Sequence, residues 1–382
     1  MKHRELPRIP FNQVSITGAE QHYLAESLIH GHPAGNGPMT AKAEAHLEAV
    51  HSGAPTLMTT SCTHALELSA RLLDAELDAE VIVPAYAFVS TAAAFVLAGL
   101  RPVFVDVDRH TLNLDPEAVE AAITPRTRAV CTIHYAGVGS QPHRMARIAD
   151  EHGLVLIEDN AHGLGGAWAG KRLGTFGALS TLSFHETKNI TCGEGGAIVI
   201  NDAALVERAE ILREKGTDRA RFFRGQVDKY TWVDVGSSWV MSDLLAAILV
   251  GQLERCDAIQ ARRRAIWTTY ADGLAPWAAE RGVRLPAISV EVEHTAHLFH
   301  LRLADLETRT RFIAHMAEAG ISTVFHYQPL HLSDVGRRYG GREGQHPVTE
   351  DAGDTLVRLP LFESLTDEQV ERVISRAVAF RP

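Results

Sequence analysis

The sequence predicts an α/β protein in which helices cover both faces of a sheet and a smaller α/β unit follows. Seven short apolar runs are the strand candidates, at residues 56–60, 81–83, 102–107, 129–134, 154–158, 179–184 and 197–200. Their apolarity is often unbroken, as expected of strands that are buried on both faces. Segments with helical periodicity lie between most of them, at 63–73, 90–98, 116–122 and 144–152. This alternation is typical of the α/β class.

The second unit begins where the pattern changes, around residues 276–286. A longer helical stretch, from about 242 to 274, precedes this change. Beyond it, residues 294–303 have the pattern of a strand, and residues 309–320 have that of a helix ending at Gly320. A strand followed by a helix indicates a second α/β unit.

A final helix is predicted over residues 365–378. Thr366 and Gln369 have the spacing of a capping box, in which each side chain accepts a hydrogen bond from the backbone N–H of the other residue. We place the division of the chain between a large domain, residues 1–255, and a small C-terminal domain, residues 256–382.

Length and composition are those of an ordinary globular protein. Of the 382 residues, 46% are hydrophobic and 22% are charged. The net charge of −10 argues against nucleic-acid binding, which usually needs a basic surface. No apolar run is long enough for a membrane span, and the N-terminus does not resemble a signal peptide. Since the four cysteines form no CxxC pair, we expect a reduced, cytoplasmic protein.

The stretch SFHETKNITCGEGG, residues 183–196, contains a lysine whose identity needs an explanation. Only six of the 37 basic residues are lysines, so this chain mostly uses arginine where a positive charge suffices. Arginine cannot provide a nucleophilic amine, which makes Lys188 a candidate for Schiff-base chemistry. Glycines at 193, 195 and 196 would allow a tight turn or a close approach of the backbone. Neither feature is specific by itself.

Two more features are expected at the edge of the sheet that holds this stretch. The run VLIEDNAHG ends a strand in Glu158 and Asp159, at the carboxyl edge where α/β proteins bind ligands. A carboxylate that only caps the next turn is the simpler interpretation. Phe88 follows the strand at 81–83 and could lie flat on an aromatic ligand, although an aromatic residue there is more often part of the core.

The start of a helix is expected at the same edge. Thr60, Ser61 and Thr63 lie near the first turn of the predicted helix at 63–73. Free backbone N–H groups at such a terminus favour an anion, phosphate in particular. Ordinary N-capping by the hydroxyl groups is the alternative.

Together these features match the needs of pyridoxal 5′-phosphate. This cofactor requires a lysine for its aldehyde, a carboxylate for its pyridinium nitrogen, donors for its phosphate and a ring to stack on. Lys188, Asp159, the helix start at 60–63 and Phe88 form such a set. The sequence therefore predicts a pyridoxal-phosphate site at the carboxyl edge of the sheet.

Over nearly its whole length the chain resembles the fold-type I nucleotide-sugar aminotransferases of the DegT/DnrJ/StrS family. The motifs are IPFN, SCTHALEL, FVSTAAAFVLAG, PVFVDVD, IEDNAHG, GTFGALSTLSFHETKNITCGEGG and FHYQPLH, at residues 9–12, 61–68, 88–99, 102–108, 157–163, 174–196 and 325–331. The resemblance implies a large cofactor-binding domain with a mostly parallel mixed sheet and a smaller C-terminal α/β domain. It also implies a homodimer with shared active sites.

The resemblance also implies roles for single residues. Lys188 would bond the cofactor and move protons, Asp159 would pair with the pyridine nitrogen, and His185 would lie near the substrate. The cofactor-binding residues would be Thr63, His64, Phe88, Asp159, His162, Ser183, Lys188 and Ser238. Substrate contacts would come from His331, Lys229 and Tyr230. Ser238 stands where many members have an asparagine that reaches the phosphate of the partner subunit, so it would need a closer approach or a bridging water.

Four stretches are most similar to transaminases that form dTDP-4-amino-4,6-dideoxygalactose, namely SFHETKN, HYAGV, EKGTDRARFFRGQVDKYTWVDVGSS and RLPLF. The implied reaction aminates C4 of dTDP-4-dehydro-6-deoxy-D-glucose with L-glutamate. Its products are 2-oxoglutarate and an amino sugar of either galacto or gluco configuration. Amination at C3 of a related nucleotide keto-sugar is an alternative.

Three other interpretations are less favoured. A sugar dehydratase of the same fold would have histidine in place of Lys188. A regulator without turnover would need a DNA-binding segment, and no basic patch is apparent. A metal site at His294, His297 and His300 is disfavoured because alternate residues of a strand face opposite sides, so we expect no metal.

Overall fold

The computed structural model describes residues 7–381, and a seven-stranded sheet forms its centre. The strands are β1 Thr56–Thr59, β2 Glu80–Pro84, β3 Arg101–Val105, β4 Thr127–Ile133, β5 Val155–Asp159, β6 Ala167–Trp168, β7 Lys171–Arg172, β8 Leu179–Ser183, β9 Gly196–Ile200, β10 Val292–Glu293, β11 Phe299–Arg302, β12 Val324–Phe325 and β13 Leu356–Leu359. The order in the central sheet is β1-β9-β8-β5-β4-β2-β3, and β9 runs antiparallel to both of its neighbours. The remaining pairs are parallel, so the seven predicted strands form one mostly parallel mixed sheet.

Helices surround this sheet and continue into the second unit. They are α1 Gly18–His30, α2 Pro38–Val50, α3 Cys62–Leu72, α4 Ser90–Leu97, α5 Pro116–Ala122, α6 Pro142–His152, α7 Val206–Arg213, α8 Arg219–Phe223, α9 Asp243–Leu253, α10 Cys256–Arg281, α11 Leu306–Glu318, α12 Asp334–Arg338, α13 Pro347–Thr355 and α14 Asp367–Val378. Within residues 7–381, no helix combines the length and the apolarity that a membrane crossing requires.

The unbroken apolar runs are explained by burial on both faces of the sheet. In β2, Val81 and Val83 pack into a core that also contains side chains of α3 and α4. The residue between them, Ile82, belongs to a separate core on the opposite face, with side chains of α5 and α6. Both faces of β2 are therefore buried, and helices cover both sides of the sheet, as predicted.

The helical stretch predicted from 242 to 274 is two helices, so this part of the prediction was wrong. The break falls at Glu254 and Arg255, between α9 and α10. α9 packs against α1 and α2, whereas α10 packs against α14 in the second unit. One straight helix cannot serve both cores, and the chain changes direction where it passes from one to the other.

The second unit contains a small antiparallel sheet in the order β11-β13-β12, with its own hydrophobic core. The strand predicted at 294–303 is shorter than expected, since β11 spans Phe299–Arg302. The capping box at the start of α14 forms as predicted, with Thr366 and Gln369 bonding each other's backbone N–H groups.

Side chains from each side of the predicted boundary between residues 255 and 256 pack into the core of the other unit. Ile9, from the beginning of the described chain, is buried in the core of the second unit and bridges Ile321. Ile259, near the start of α10, is buried with side chains of α9 in the first unit. The boundary stays a prediction, and the N-terminal segment is shared between the two cores.

Candidate active site

A cavity of about 750 Å³ lies at the carboxyl edge of the central sheet, between the two units. β5 ends there in Asp159 and β8 ends there in Ser183. Residues of the second unit close the opposite wall, among them His326 and Arg358. A crevice outside the carboxyl ends of parallel strands is the usual ligand site of α/β proteins.

Lys188 lies on the wall of this cavity, in the loop that follows β8. Its backbone N–H donates to the His185 carbonyl oxygen at 2.9 Å, which fixes a turn directly after the strand. Lys188 is partly buried, and desolvation lowers the pKa of its side-chain amine below the ordinary value for lysine. An amine with a lowered pKa is suited to nucleophilic attack and to proton transfer.

Asp159 faces the same cavity from the end of β5. Its Oδ2 accepts a hydrogen bond from the Thr91 hydroxyl at 2.7 Å, and its Oδ1 accepts one from the Ala161 N–H at 3.2 Å. Burial raises the pKa of this carboxyl, against the opposing effect of these hydrogen bonds and of Lys188. A cationic ligand group beside Asp159 would stabilise its ionised form.

The neighbouring carboxylate, Glu158, faces away from the cavity and has a structural task. It accepts backbone N–H bonds from Gly174, Phe176 and Gly177 at 2.7 to 2.9 Å, and its Oε2 lies 2.8 Å from His134 Nε2. Glu158 therefore stabilises the turn before β8, whereas the capping of the next turn, which the simpler interpretation proposed, is made by Asp159 through the Ala161 N–H. The adjacent Asp159 is left to face the ligand space.

His162 lies beside Lys188 and Asp159, and its ring stacks on His297 with 4.1 Å between the ring centres. Burial lowers the pKa of His162 well below the usual value, with a contribution from the nearby Lys188, so the ring is neutral. Its Nδ1 is buried and has no hydrogen-bond partner among the described residues. A buried polar atom of this kind calls for a ligand group as its partner.

The start of α3 meets the cavity as predicted, but not all its hydroxyl groups are free. Ser61 Oγ caps the helix by accepting from the His64 N–H at 3.1 Å. Thr63 Oγ1 lies 2.7 Å from Ser90 Oγ, at the start of α4, and both line the cavity together with Ser183. Capping and anion binding are therefore compatible here, because Ser61 occupies only one of the free N–H groups.

The His64 side chain does not line the cavity. Its Nδ1 meets the Thr60 hydroxyl, and its ring lies 6.2 Å from the ring of Trp239. The backbone of His64 is the part of this residue that belongs to the helix terminus facing the cavity. Helix geometry explains the difference, since consecutive side chains of a helix diverge by about 100°.

Phe88 and His185 both line the cavity. Phe88 is 55% exposed, so it is not a core residue, and its ring centre lies 6.1 Å from that of Tyr327. His185 Nδ1 lies 2.9 Å from the Thr187 hydroxyl, and its Nε2 lies 3.5 Å from Glu194. Both side chains are thus available to a bound molecule.

The glycines of GEGG bring β9 against the start of α3. Gly193 has a φ of 90°, a conformation that residues with a side chain rarely adopt. A Cβ on Gly196 would lie 2.3 Å from the Cys62 backbone nitrogen. The close approach predicted from these glycines therefore exists, and its partner is the backbone of the helix terminus at Ser61 and Cys62.

Besides the side chain of His64, four of the predicted residues do not line the cavity of this subunit. Ser238, Lys229 and Tyr230 are exposed on the segment between α8 and α9. His331 is fully buried elsewhere, with its Nε2 3.0 Å from Glu350 Oε1. Because its side chain is enclosed by the second unit, we leave His331 out of the proposed site.

Several wall residues were missed by the sequence analysis. His326, Tyr327 and Arg358 come from the second unit, and His297 from the segment before β11. The signal for three of them was present in the motifs FHYQPLH and RLPLF. Nothing in the order of the sequence indicates that these motifs face Lys188, because the contact joins residues more than 130 positions apart.

Comparisons with known proteins agree with this architecture. Residues 14–378 match the model of the DegT/DnrJ/EryC1/StrS aminotransferase family. The chain belongs to this family. Its architecture is accordingly that of the fold-type I pyridoxal-phosphate-dependent aminotransferases, as the motifs predicted.

Individual relatives cover most of the chain. The aminotransferase TlmJ from Streptoalloteichus hindustanus is 30% identical, with 98% of each chain covered and a TM-score of 0.90. Spr1654 from Streptococcus pneumoniae, a provisionally assigned sugar aminotransferase in its PLP form, is 28% identical, with 97% of this chain and 98% of that chain covered and a TM-score of 0.89. A pleiotropic regulatory protein from Geobacillus stearothermophilus is 35% identical over 303 residues, 79% of this chain and 78% of the relative.

The residues of this family member fit pyridoxal phosphate. The unpaired Nδ1 of His162 offers a partner to a polar substituent of the ring, and the raised pKa of Asp159 would return towards normal beside a pyridinium nitrogen. Phe88 presents an exposed ring, and the hydroxyl groups of Thr63 and Ser183 surround the start of α3. Among the described residues, no group of three or more His, Cys, Asp or Glu is arranged to hold a metal ion.

Proposed function

We propose that this family member is a pyridoxal-phosphate-dependent sugar aminotransferase. It transfers the amino group of L-glutamate to C4 of dTDP-4-dehydro-6-deoxy-D-glucose and releases 2-oxoglutarate. The product is a dTDP-4-amino-4,6-dideoxy-D-hexose of galacto or gluco configuration. The observation that carries the proposal is the pair of Lys188 and Asp159 in one cavity, in a chain whose relatives include a sugar aminotransferase.

The chain's own residues have separable tasks in this reaction. When bound, the cofactor supplies the electron sink that lets a proton leave the carbon bearing the amino group. Lys188 Nζ takes that proton and returns one in the second half of the reaction, for which its lowered pKa is favourable. Asp159 holds the positive charge of the ring nitrogen. Phe88 and His162 fix the plane of the ring, and the walls exclude water.

The dimer forms part of the proposal. Lys229, Tyr230 and Ser238 lie outside the cavity of their own subunit, on an exposed segment. We propose that they complete the cavity of a second copy, where Ser238 approaches the cofactor phosphate. The segment and the adjoining α8 carry several exposed apolar side chains, including Trp232 and Phe223 at 73% and 70% exposure, which a partner surface would bury.

Two alternatives remain as second candidates within the same fold. Amination at C3 of a related keto-sugar would use Lys188 and Asp159 in the same way, because neither residue distinguishes C3 from C4 of the sugar. A regulatory role is favoured by one relative, the pleiotropic regulatory protein of Geobacillus stearothermophilus. Lys188 argues for turnover instead, and a dehydratase would have histidine at this position.

The deciding experiment is a proton NMR spectrum of the product formed from dTDP-4-dehydro-6-deoxyglucose and L-glutamate. A new amino sugar with a large H3–H4 coupling has an equatorial amine and is the gluco isomer. A small coupling identifies the galacto isomer. If this substrate gives no amino sugar but its 3-keto isomer is aminated at C3, the position in our proposal is wrong. The absence of any amino sugar from either keto-sugar would favour the regulatory role.

A further inference from the structure

Arg358 is a half-buried cation on the cavity wall, and no carboxylate of the described residues pairs with it. It lies in β13 and faces the cavity shared with Lys188 and Asp159. Its Nη2 donates to the Phe325 carbonyl oxygen at 3.2 Å, and its Nε is buried without a partner. The guanidinium carbon lies 4.6 Å from the centre of the Phe11 ring.

Three other arginines, which are buried in the protein, each donate to at least two acceptors. Arg213 Nη1 meets Glu44 at 3.1 Å, and Arg302 meets Asp351. Arg263, which also lacks a carboxylate, donates to the carbonyl oxygens of Ala296 and His297. Arg358 has one such bond for a guanidinium with five N–H donors.

An arginine with one hydrogen bond and no carboxylate partner is suited to bind the anionic group of a ligand. Arginine keeps its proton at any physiological pH, so the charge of Arg358 persists although burial lowers its pKa. A partly desolvated charge without a counter-ion is costly. Neither acid of the cavity wall, Asp159 or Glu194, forms an ion pair with Arg358. An anion bound in the cavity would supply the missing counter-ion.

A carboxylate fits this position better than a phosphate or a diphosphate. The proposed phosphate site is at the other wall, where Thr63 and Ser183 surround the start of α3. Arg358 is instead on the wall that the second unit forms, beside the ring of Phe11. The planar fork of a guanidinium binds a carboxylate through two parallel hydrogen bonds. An amino donor that presents its amino group to Lys188 brings a carboxylate into the same cavity.

We infer that Arg358 binds a carboxylate of the amino donor, which is L-glutamate if the proposed function is correct. The inference rests on that proposed function for the identity of the donor. It assigns donor recognition to the second unit, whereas Lys188 and Asp159 belong to the first. Residues of both units must then be in place before the amino group can be transferred.

The test measures the two halves of the reaction separately, through the change in cofactor absorbance of the holoenzyme. In R358Q, the L-glutamate concentration needed for half-maximal amination should rise about 10- to 100-fold, since one or two charged hydrogen bonds are lost. The reaction of the aminated enzyme with the keto-sugar should keep its own half-saturation. R358K should be intermediate, because lysine keeps the charge and loses the fork.

Arg309→Gln is the matched control. Arg309 lies in α11 and donates to the Gly353 carbonyl oxygen at 2.7 Å. Its guanidinium carbon lies 5.5 Å from the centre of the Phe325 ring. It does not line the cavity. Both halves of the reaction should be unchanged in this variant. Repeating the series with L-alanine identifies the carboxylate, since a loss with both donors assigns the α-carboxylate and a loss with L-glutamate alone assigns the side-chain carboxylate.

A binding measurement makes the inference independent of turnover. Glutarate, which has two carboxylates and no amine, should raise the thermal midpoint of the wild-type holoenzyme and should lose this effect in R358Q. If glutarate protects both proteins equally, or if R358Q weakens both halves of the reaction to the same extent, the inference is wrong. Should L-glutamate fail as a donor while the glutarate effect depends on Arg358, the proposed donor is wrong and the carboxylate site stands.

Discussion

Burial determines the charge of the residues around Lys188. It lowers the pKa of the lysine and raises that of Asp159, so both groups are driven towards their neutral forms. His162, between them and His297, is neutral for the same reason. The cavity is thus prepared for a ligand that supplies charges of its own. Lysine at position 188 meets the chemical need, because an amine can both attack a carbonyl and carry a proton.

We expect Lys188→Ala to abolish turnover. The loss of proton transfer alone should lower kcat by about 10²- to 10⁴-fold, and the loss of the covalent attachment should shift the absorbance of the bound cofactor to that of its free aldehyde. Lys171→Ala is the control, since Lys171 is exposed on β7 and contacts Phe176. Steady-state rates and absorbance spectra measure both effects. Undiminished activity in Lys188→Ala would refute the assignment.

Among the contacts between secondary-structure elements, the one between β9 and α3 positions the helix terminus that faces the cavity. β9 runs antiparallel to its neighbours β1 and β8, so its first residue, Gly196, lies beside the carboxyl ends of those two strands. There it touches the backbone of Ser61 and Cys62. The absence of a side chain at 196 sets how far the start of α3 lies from the loop that holds Lys188.

Gly196→Ala should displace the start of α3. The added Cβ would meet backbone atoms that cannot rotate away, and overpacking of this kind costs about 1 to 3 kcal/mol. We expect a lower thermal midpoint together with a weaker affinity for the cofactor, measured by titration of the apo-protein. Gly18→Ala, where nothing lies within 4 Å of the new Cβ, should change neither. A variant with normal stability and affinity would show that the close approach has no effect on the site.

For the molecule as a whole, an apolar surface remains on α8 and on the segment between α8 and α9. The exposed residues are Phe222, Phe223, Tyr230, Trp232, Val233 and Val235. Contiguous apolar exposure is typical of surfaces that bind another protein. The proposed active site also requires residues of this segment from a second copy, so assembly and activity should be lost together.

Trp232→Glu should dissociate the dimer. A charge in place of a large aromatic side chain at a protein interface is expected to weaken association about 100-fold or more. Light scattering over a concentration series gives the assembly state, and activity at the same concentrations should fall in parallel. Leu77→Glu, at a leucine with 79% exposure in the connection between α3 and β2, is the control. An active monomer would contradict the shared site.

The buried histidines predict a loss of stability in acid. Burial lowers the pKa values of His162, His297 and His326 well below the usual range, so the folded protein does not take up these protons. The unfolded chain takes them up below about pH 6.5, and it therefore gains stability as the pH falls. Each histidine should lower the free energy of unfolding by up to about 1.4 kcal/mol per pH unit below that value.

Urea unfolding at pH 7.5 and pH 5.5 measures this effect. The free energy of unfolding should be lower by about 4 kcal/mol at pH 5.5 from these three residues together. In His297→Gln the difference should shrink by about a third, whereas substitution of the exposed His22 should leave it unchanged. Equal stability at the two pH values would mean that the histidines are hydrated or charged in the folded protein.

The sequence by itself determined the seven strands of the central sheet and four of the helices between them, and with them the edge at which Asp159 and Lys188 meet. Apolar periodicity, strand-end carboxylates and glycine clusters are local signals, and the carboxyl ends of parallel strands must share an edge. The position of the break between α9 and α10 was not predicted, because both sides of Glu254 and Arg255 have helical periodicity.

Only the tertiary structure decided which residues of the second unit face Lys188. His331 and Arg358 both lie in motifs of the family, yet His331 is enclosed with Glu350 while Arg358 reaches the cavity without a carboxylate partner. The same is true of Ser238, Lys229 and Tyr230, which lie outside the cavity of their own subunit. The physical reason is that a local pattern shows which face of an element is buried, whereas the packing of distant segments determines what that face touches.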